Sequence, residues 1–248
     1  MCRLACGGHG YLLSSGLPTL LNSYTAMCTL EGTRDVLEQQ AARYFLKRVP
    51  NAELAPPVPL DSVALLDLTA LEAAFEHRAI QVTRSTRALL GAAAGGNGGT
   101  AWNDALQEVA RVSRAHCHHT LLAAFRSTVD AHPAGATRDV LAALCQLFAL
   151  SILVEHLGDF LQYGLILPTG VPAARAHVRA LLLKIRPEAV ALADSWDFSD
   201  HYLNSAIGSS DGRVYERLMA AAEREPLNRV PPQARFERVL QPMLRGKL

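Results

Sequence analysis

Apolar residues recur every three or four positions along most of the chain, which is the spacing that places them on one face of an α-helix. Leu37, Ala41 and Phe45 form one such stripe, and Leu68 and Leu71 begin another. The stripes predict helices over residues 18–26, 33–48, 61–90, 101–129, 138–163, 172–194 and 215–222. Because long helices joined by short breakers are typical of antiparallel bundles, we expect an all-α fold built of helical bundles.

Prolines and glycines mark the ends of these helices. Pro18 stands in the first turn of the first predicted helix, where a missing N–H costs nothing. Pro56 and Pro57 lie in an extended connector, the clearest internal boundary of the chain. A glycine-rich loop is predicted at residues 91–99, and a polar loop follows Trp196. We therefore expect three segments, which are a helical part at residues 1–50, a linker at 51–60 and a helical domain at 61–248.

The composition is that of a globular helical protein. Half of the 248 residues are hydrophobic, and 24 basic residues nearly balance 23 acidic ones, so there is no bulk signature of nucleic-acid binding. The five cysteines include no CxxC pair, which favours reduced thiols in an intracellular protein. The longest apolar run, residues 140–154, is shorter than the roughly 20 residues that a membrane span needs. It predicts a buried core helix, and no membrane span is expected.

Two groups of charged or ligand-type residues have plain structural interpretations. His116 and His119 lie one helical turn apart with Cys117 and His118 between them, but no second ligand group at finger-like spacing completes a metal site. We expect packed or solvated histidines and no metal, with a histidine-bound metal protein as an alternative. Five arginines spread along the central helices are interpreted as solvated surface charge, namely Arg84, Arg87, Arg111, Arg114 and Arg126.

Glu31 is the candidate catalytic residue. It lies in Leu30-Glu31-Gly32-Thr33, just before a predicted helix start, and the neighbouring glycine permits close approach of a ligand to the backbone. A carboxylate in this position can serve as a base. By its position alone, a capping or surface residue is the favoured interpretation, since an isolated glutamate before a helix far more often has that role.

Four short strings occur along the chain in a particular order. They are Ala5-Cys6-Gly7-Gly8-His9-Gly10-Tyr11, Cys28-Thr29-Leu30-Glu31-Gly32, Val36-Leu37 with Gln40, Ala42, Arg43 and Lys47, and Asn204-Ser205 with Gly208, Asp211, Gly212, Val214, Tyr215 and Glu216. Their order and spacing resemble those of the acyl-CoA oxidases, flavoenzymes of peroxisomal β-oxidation related to the acyl-CoA dehydrogenases. The resemblance covers the whole chain and implies the helical C-terminal portion of such an enzyme, with residues 1–50 ending its first helical C-terminal domain.

The resemblance implies the FAD-dependent oxidation of a fatty acyl-CoA to a trans-2-enoyl-CoA, with O2 reduced to H2O2. Glu31 would be the catalytic base, and its backbone N–H would bind the thioester carbonyl oxygen. Gly7, Gly8, Gly32 and Thr33 would lie at the cofactor, shared across a homodimer. The family usually has an acidic residue and asparagine after the Glu-Gly pair, whereas this chain has Thr33 and Arg34.

The resemblance also implies that most of the FAD site belongs to N-terminal domains that this chain lacks, so we expect the chain alone to hold FAD weakly or not at all. The alternative is a non-catalytic helical module for interaction or dimerisation, related to the oxidases. The terminal Gly246-Lys247-Leu248 is a degenerate form of the Ser-Lys-Leu peroxisomal signal and predicts the peroxisome, with the cytoplasm as the alternative.

Overall fold

The structure, a computed structural model, describes residues 1–50, 55, 57–93 and 98–246. These residues are helical with no strand, apart from one isolated parallel bridge between Leu60 and Ile166, so the predicted all-α fold is confirmed. Two compact units form, one from residues 1–31 and 194 onward and one from residues 32–193. They are called unit 1 and unit 2.

The helices of unit 1 are short. Its N-terminal stretch contains Cys2–Ala5 (α1) and Leu17–Thr25 (α2). Its C-terminal stretch contains Asp200–Leu203 (α11), Val214–Arg224 (α12), Pro232–Arg235 (α13) and Gln241–Leu244 (α14). The helices of unit 2 are Arg34–Arg48 (α3), Leu68–Ala93 (α4), Gly98–Asp104 (α5), Leu106–Ala131 (α6), Ala136–Glu155 (α7), Leu157–Gln162 (α8) and Val171–Ile185 (α9), with Ala189–Asp194 (α10) at its end.

Most predicted helices are present, but several boundaries were wrong. The helix predicted from residue 61 begins at Leu68, because the Asp61 carboxylate accepts the N–H groups of Val63 and Ala64 at 2.9 and 2.8 Å and closes a separate turn. Such side-chain bonds compete with a helix for backbone donors. Asp67 then accepts the N–H of Thr69 at 2.9 Å at the start of α4.

Three other predicted segments differ from the structure. The helix predicted at 101–129 is divided at Ala105, and the one at 138–163 is divided at His156. The predicted loop at 91–99 is too long, because α4 runs to Ala93 and α5 starts at Gly98, while residues 94–97 lie outside the described part. Half of the linker predicted at 51–60 lies outside it as well, and the division into domains stays a prediction.

Unit 2 has two hydrophobic clusters. The larger cluster contains residues of α4, α6, α7, α8 and α9. At its centre are Phe75 and Phe160, whose ring centroids are 5.2 Å apart. The smaller joins α3, α4 and α6 around Ala42, Val82 and Val112, all fully buried. The smaller cluster fixes α3, the helix that follows the candidate catalytic turn.

Helix α7 contains the apolar run noted in the sequence. With 20 residues and a mean hydropathy of 1.6 over its best window, it is long and apolar enough by those measures to cross a membrane, although 28% of that window is buried. The core helix of a soluble protein can have the same length and composition. In the structure α7 places Cys145, Leu150 and Leu153 fully inside the larger cluster of unit 2.

Candidate active site

The candidate catalytic residue lies in the connection between α2 and α3. After α2 a 3-10 turn covers Ala26–Cys28, and the chain then turns through Glu31 and Gly32. Gly32 has φ of +122°, a conformation that residues with a Cβ rarely adopt. Thr33 is the N-cap of α3, and its carbonyl accepts the N–H groups of Val36 and Leu37 at 3.0 Å each.

The polar groups of Glu31 are not engaged by the part of the chain that the structure describes. Its side chain is exposed, and within the described residues its carboxylate has no hydrogen bond or ion pair. In the same part of the chain its backbone N–H has no acceptor. A carboxylate that can accept a proton and a backbone N–H that can donate a hydrogen bond are therefore both available at Glu31.

Gly7 and Gly8 lie in a separate segment, a 3-10 turn over Gly7–Tyr11. Both are exposed, and a Cβ at either position would meet no atom within 4 Å. Gly7 needs its glycine for a φ of +58°, whereas Gly8 has open space and an ordinary φ. No contact or backbone conformation among the described residues requires glycine at position 8. A glycine is expected at such a position when another molecule approaches the backbone closely.

Gly10 of the same string has a different role. It is buried, and a Cβ there would lie 2.3 Å from the carbonyl oxygen of Arg3 and 2.9 Å from the Cβ of Cys6. Gly10 is therefore a packing glycine. The structure brings Glu31, Gly32 and Thr33 together in one turn, and no hydrogen bond among the described residues links that turn to Gly7 or Gly8.

The fourth string of the sequence forms a polar loop in unit 1. Asp200 accepts the N–H of Ser210 at 3.0 Å, and this bond lowers the pKa of its carboxyl. Asp211 pairs with Arg217 at 2.9 Å, and this pairing lowers the pKa of the Asp211 carboxyl. The loop is joined to the N-terminal segment because the N–H of Ala206 donates to the Ser14 carbonyl at 2.8 Å.

Arginines tie α3 to its neighbours in unit 2, which corrects their interpretation as solvated surface charge. Arg114 of α6 donates two hydrogen bonds to the Glu38 carboxylate, at 2.8 and 3.0 Å. Arg87 of α4 donates to the carbonyls of Leu46 and Val49 at 2.6 and 2.8 Å, at the C-terminal end of α3. These contacts hold both ends of the helix that starts at the candidate catalytic turn.

The other arginines of that group are also engaged. Arg126 forms an ion pair with Glu72 at 2.8 Å, and Arg84 donates to the Pro50 carbonyl at 3.3 Å. Arg34, the departure next to the catalytic turn, is exposed and lies 3.8 Å from the carboxylate of Glu38. Prediction from sequence failed here because a helical wheel shows which face an arginine occupies and not what packs beside it.

A buried charge network was missed altogether. Arg78 is 1% exposed and binds the Asp159 carboxylate at 2.8 Å, while Arg111 binds its other oxygen at 2.6 Å. Burial opposes the charge on Asp159, but hydrogen bonds from both arginines outweigh it and lower the pKa of the carboxyl. A signal existed in the sequence, since Arg78 falls three residues after Phe75 and four before Val82, on the apolar stripe of α4.

Two histidines of α6, His116 and His118, are packed against other side chains, which is one of the two arrangements expected from the sequence. His116 stacks on Phe45 with ring centroids 3.8 Å apart and contacts the Thr83 hydroxyl at 2.9 Å through Nε2. Burial, with the nearby charge of His119, lowers the pKa of His116 to about 4. His118 contacts Arg78, and among the described residues no three potential ligands are placed to hold a metal ion.

Comparison with known proteins identifies the chain's relatives. Residues 67–245 match the family model for acyl-CoA oxidase, and residues 1–46 match the model for the acyl-CoA oxidase C-alpha1 domain. The chain is 36% identical over 270 residues to peroxisomal acyl-coenzyme A oxidase 2 of Oryctolagus cuniculus, covering 99% of this chain and 40% of the relative. It is 34% identical to peroxisomal acyl-coenzyme A oxidase 1 of Arabidopsis thaliana, covering 100% and 40%.

Solved structures agree. Acyl-CoA oxidase 1 of Arabidopsis thaliana superposes with a TM-score of 0.88 at 31% identity, covering 100% of this chain and 40% of that one. Acyl-CoA oxidase-1 of Caenorhabditis elegans, solved with FAD and ATP, has a TM-score of 0.87 at 29% identity, covering 98% and 40%. This chain thus spans 40% of the length of each of these relatives. The chain belongs to the acyl-CoA oxidase family.

Proposed function

We propose that this chain is the C-terminal helical region of a peroxisomal acyl-CoA oxidase and that Glu31 is its catalytic base. The observation that carries the proposal is the unused carboxylate and N–H of Glu31, held in one turn by the positive φ of Gly32 and the N-cap residue Thr33. Family membership supplies the reaction, which is oxidation of a fatty acyl-CoA to the trans-2-enoyl-CoA with O2 reduced to H2O2.

In this reaction Glu31 removes the proton from the carbon next to the thioester carbonyl. A carboxylate becomes a stronger base when it is desolvated, and the exposed Glu31 would lose its water when an acyl chain covers it. A positioned general base contributes about 10²- to 10⁴-fold to a rate. The N–H of the same residue is free to bind the thioester oxygen as negative charge develops there, which is an oxyanion-hole role.

The residues present fit one side of a FAD site. Gly7 and Gly8 are exposed with open space at the Cβ position, so their backbone can approach a flat or phosphorylated group closely. Gly32 and Thr33 directly follow the base in the chain and would also contact the cofactor. When bound, FAD supplies the acceptor for the β-hydrogen as hydride and passes the electrons to O2.

The remainder of the FAD and acyl-CoA sites is proposed to lie in polypeptide that corresponds to the part of the relatives not covered by this chain. Unit 1 supports this idea, because Gly10 and Ser15 are its only buried residues among those described. Large apolar side chains of unit 1 are instead more than half exposed, namely Leu20, Tyr24, Met27, Tyr202, Tyr215 and Met219. Surfaces of this kind usually contact other protein, which also supports a homodimer.

The family matches support the division of the chain proposed from its sequence. The C-alpha1 match ends at residue 46 and the second match begins at residue 67, on either side of the proposed linker at residues 51–60. The peroxisomal location is proposed from the names of the relatives together with Gly246-Lys247-Leu248, of which the last two residues lie outside the described part.

The proposal is tested by measuring H2O2 formation from fatty acyl-CoA with this chain alone and with the N-terminal region of an acyl-CoA oxidase added. We expect activity and a stoichiometric flavin absorbance only in the second case. A yellow chromophore in the purified chain alone would contradict the proposed division of the FAD site. If the combined proteins bind flavin and produce no H2O2, the proposed enzymatic function is wrong.

A second function is favoured by the exposed apolar surface of unit 1. Under this alternative the chain is a non-catalytic module that pairs with a full-length oxidase. Co-purification with such an oxidase, with no gain of activity from the chain and no effect of Glu31→Gln, would support the alternative over the enzyme.

A further inference from the structure

A cluster of basic side chains lies at the junction of α4, α6 and the break between α7 and α8, and the proposed reaction does not use it. Nη1 of Arg78 is 3.2 Å from Nδ1 of His118. The ring of His118 lies 5.0 Å from the ring of His156, the residue between α7 and α8. One buried guanidinium and two half-buried imidazoles thus lie next to one another in unit 2, where Arg78 is 1% exposed.

The contact between Arg78 and His118 fixes the protonation state of the histidine. An arginine only donates hydrogen bonds, so Nδ1 of His118 must be the acceptor. The proton of the neutral ring is therefore on Nε2. A second proton on His118 would occupy Nδ1, remove the acceptor and place two positive charges 3.2 Å apart.

The charges around the cluster favour the neutral ring. Arg78 on α4 and Arg114 on α6 oppose a positive charge on His118, as does His156 at the α7–α8 break. Glu155 at the end of α7 favours such a charge but is exposed.

The arginines around the cluster are already paired with two further carboxylates. Asp159 of α8 faces His156 but is paired with Arg78 and Arg111. Glu38 of α3 is bound to Arg114. Burial is the largest cause, and Arg78 the next, of a pKa for His118 that falls to about 4.

We propose that His118 is an acid-sensitive latch in unit 2, whose neutral ring ties α6 to Arg78 and whose protonation opens the contact with α4 and the α7–α8 junction. The contribution of the latch to the stability of unit 2 is complete above the ordinary pKa of a histidine, about 6.5. This contribution declines as the pH falls toward the lowered pKa, because the unfolded chain then binds a proton that the folded chain excludes. The contact itself opens when the folded chain also takes up that proton, at about the lowered pKa. A difference of one proton changes the folding equilibrium about tenfold per pH unit.

The experiment measures urea unfolding of the full chain at several pH values between 7.5 and 4.5. All variants carry Trp196→Phe, which removes the tryptophan of unit 1, itself 74% exposed. The chain has two tryptophans, so the remaining fluorescence comes from Trp102 of unit 2. His118→Asn is the test variant, since its Oδ1 can accept from Arg78 at any pH. His132→Asn is the matched control, because His132 is at the end of α6 and, among the described residues, its ring has a hydrogen-bond contact with the neighbouring Pro133 carbonyl and with no other helix.

We expect the folding equilibrium of the His132→Asn protein to weaken with acid as steeply as that of the parent. In His118→Asn the folding equilibrium depends less steeply on pH. Between pH 6.5 and 4.5 each unit of acidification should weaken folding by up to about tenfold less than in the parent. Equal dependence in His118→Asn and the parent would overturn the proposal. An NMR titration of the folded parent protein gives a second measurement, which does not depend on the stability of any variant. His118 should remain neutral at pH 6, with its proton on Nε2. Titration of His118 as a free imidazole would also overturn the proposal.

Discussion

The substitution Asp159→Asn tests the buried charge network most severely. Asp159 is the shared carboxylate of Arg78 and Arg111, and the side chains of Asp159 and Arg78 are only 12% and 2% exposed. Arg111 keeps a second carboxylate in Glu108, whereas Arg78 has no other acidic partner within the described residues. The substitution therefore leaves a buried guanidinium without a compensating charge.

Removing one partner of a buried pair costs about 3–5 kcal/mol. The amide oxygen of asparagine still accepts one hydrogen bond, so we expect a value at the lower end, about 3 kcal/mol. With a urea dependence of about 2–3 kcal/mol per molar, the unfolding midpoint should fall by about 1–1.5 M. Trp102 fluorescence in the Trp196→Phe background reports the transition of unit 2.

Asp35→Asn is the control, because Asp35 is 80% exposed and lies 3.8 Å from Arg34, a geometry worth about 0–1 kcal/mol. The double variant Arg78→Met with Asp159→Leu should recover much of the loss, since apolar residues can replace a buried pair without penalty. An Asp159→Asn protein within about 0.5 kcal/mol of the parent would refute the view that this network stabilises unit 2.

Other substitutions test single contacts. Gly10→Ala should destabilise unit 1 by about 1–3 kcal/mol, because the added Cβ meets a backbone oxygen at 2.3 Å, whereas Gly8→Ala, with open space, should not; limited proteolysis of the two variants checks this. Phe75→Ala should cost about 3–5 kcal/mol in urea unfolding, because the ring is fully buried against Phe160. His116 has a folded pKa of about 4, below that of the unfolded chain, so its contribution is complete above about pH 6.5 and is lost toward pH 4. His116→Gln should flatten part of that acid dependence in the same unfolding assay.

Periodicity predicted the helices of this chain well, because the apolar stripes that define a helix in sequence are the surfaces that pack in the core. The prediction failed where a helix is interrupted at a residue that is neither proline nor glycine, as at Ala105 and His156. It also missed the capping turn of Asp61. Such breaks depend on hydrogen bonds and packing that no local pattern encodes.

The candidate site divides in the same way. The turn at Glu31 and the start of α3 followed from Gly32 and Thr33: Gly32 has a positive φ, and Thr33 is the N-cap residue, although its side chain makes no capping hydrogen bond. The proposed catalytic role of Glu31 did not follow from spacing and came from resemblance to a family. The contacts that hold α3, such as Arg114 with Glu38, join residues 76 positions apart and could not be read from the sequence.

The most direct test of the proposed base is the rate of flavin bleaching by fatty acyl-CoA without oxygen, in a single turnover, with the N-terminal region of an acyl-CoA oxidase supplied. Glu31→Gln keeps the size of the side chain and its backbone N–H but removes the base. It should slow bleaching by at least about 10²-fold while the control Asp35→Asn leaves the rate unchanged. If the Glu31→Gln protein binds flavin and is bleached as fast as the parent, Glu31 is not the base.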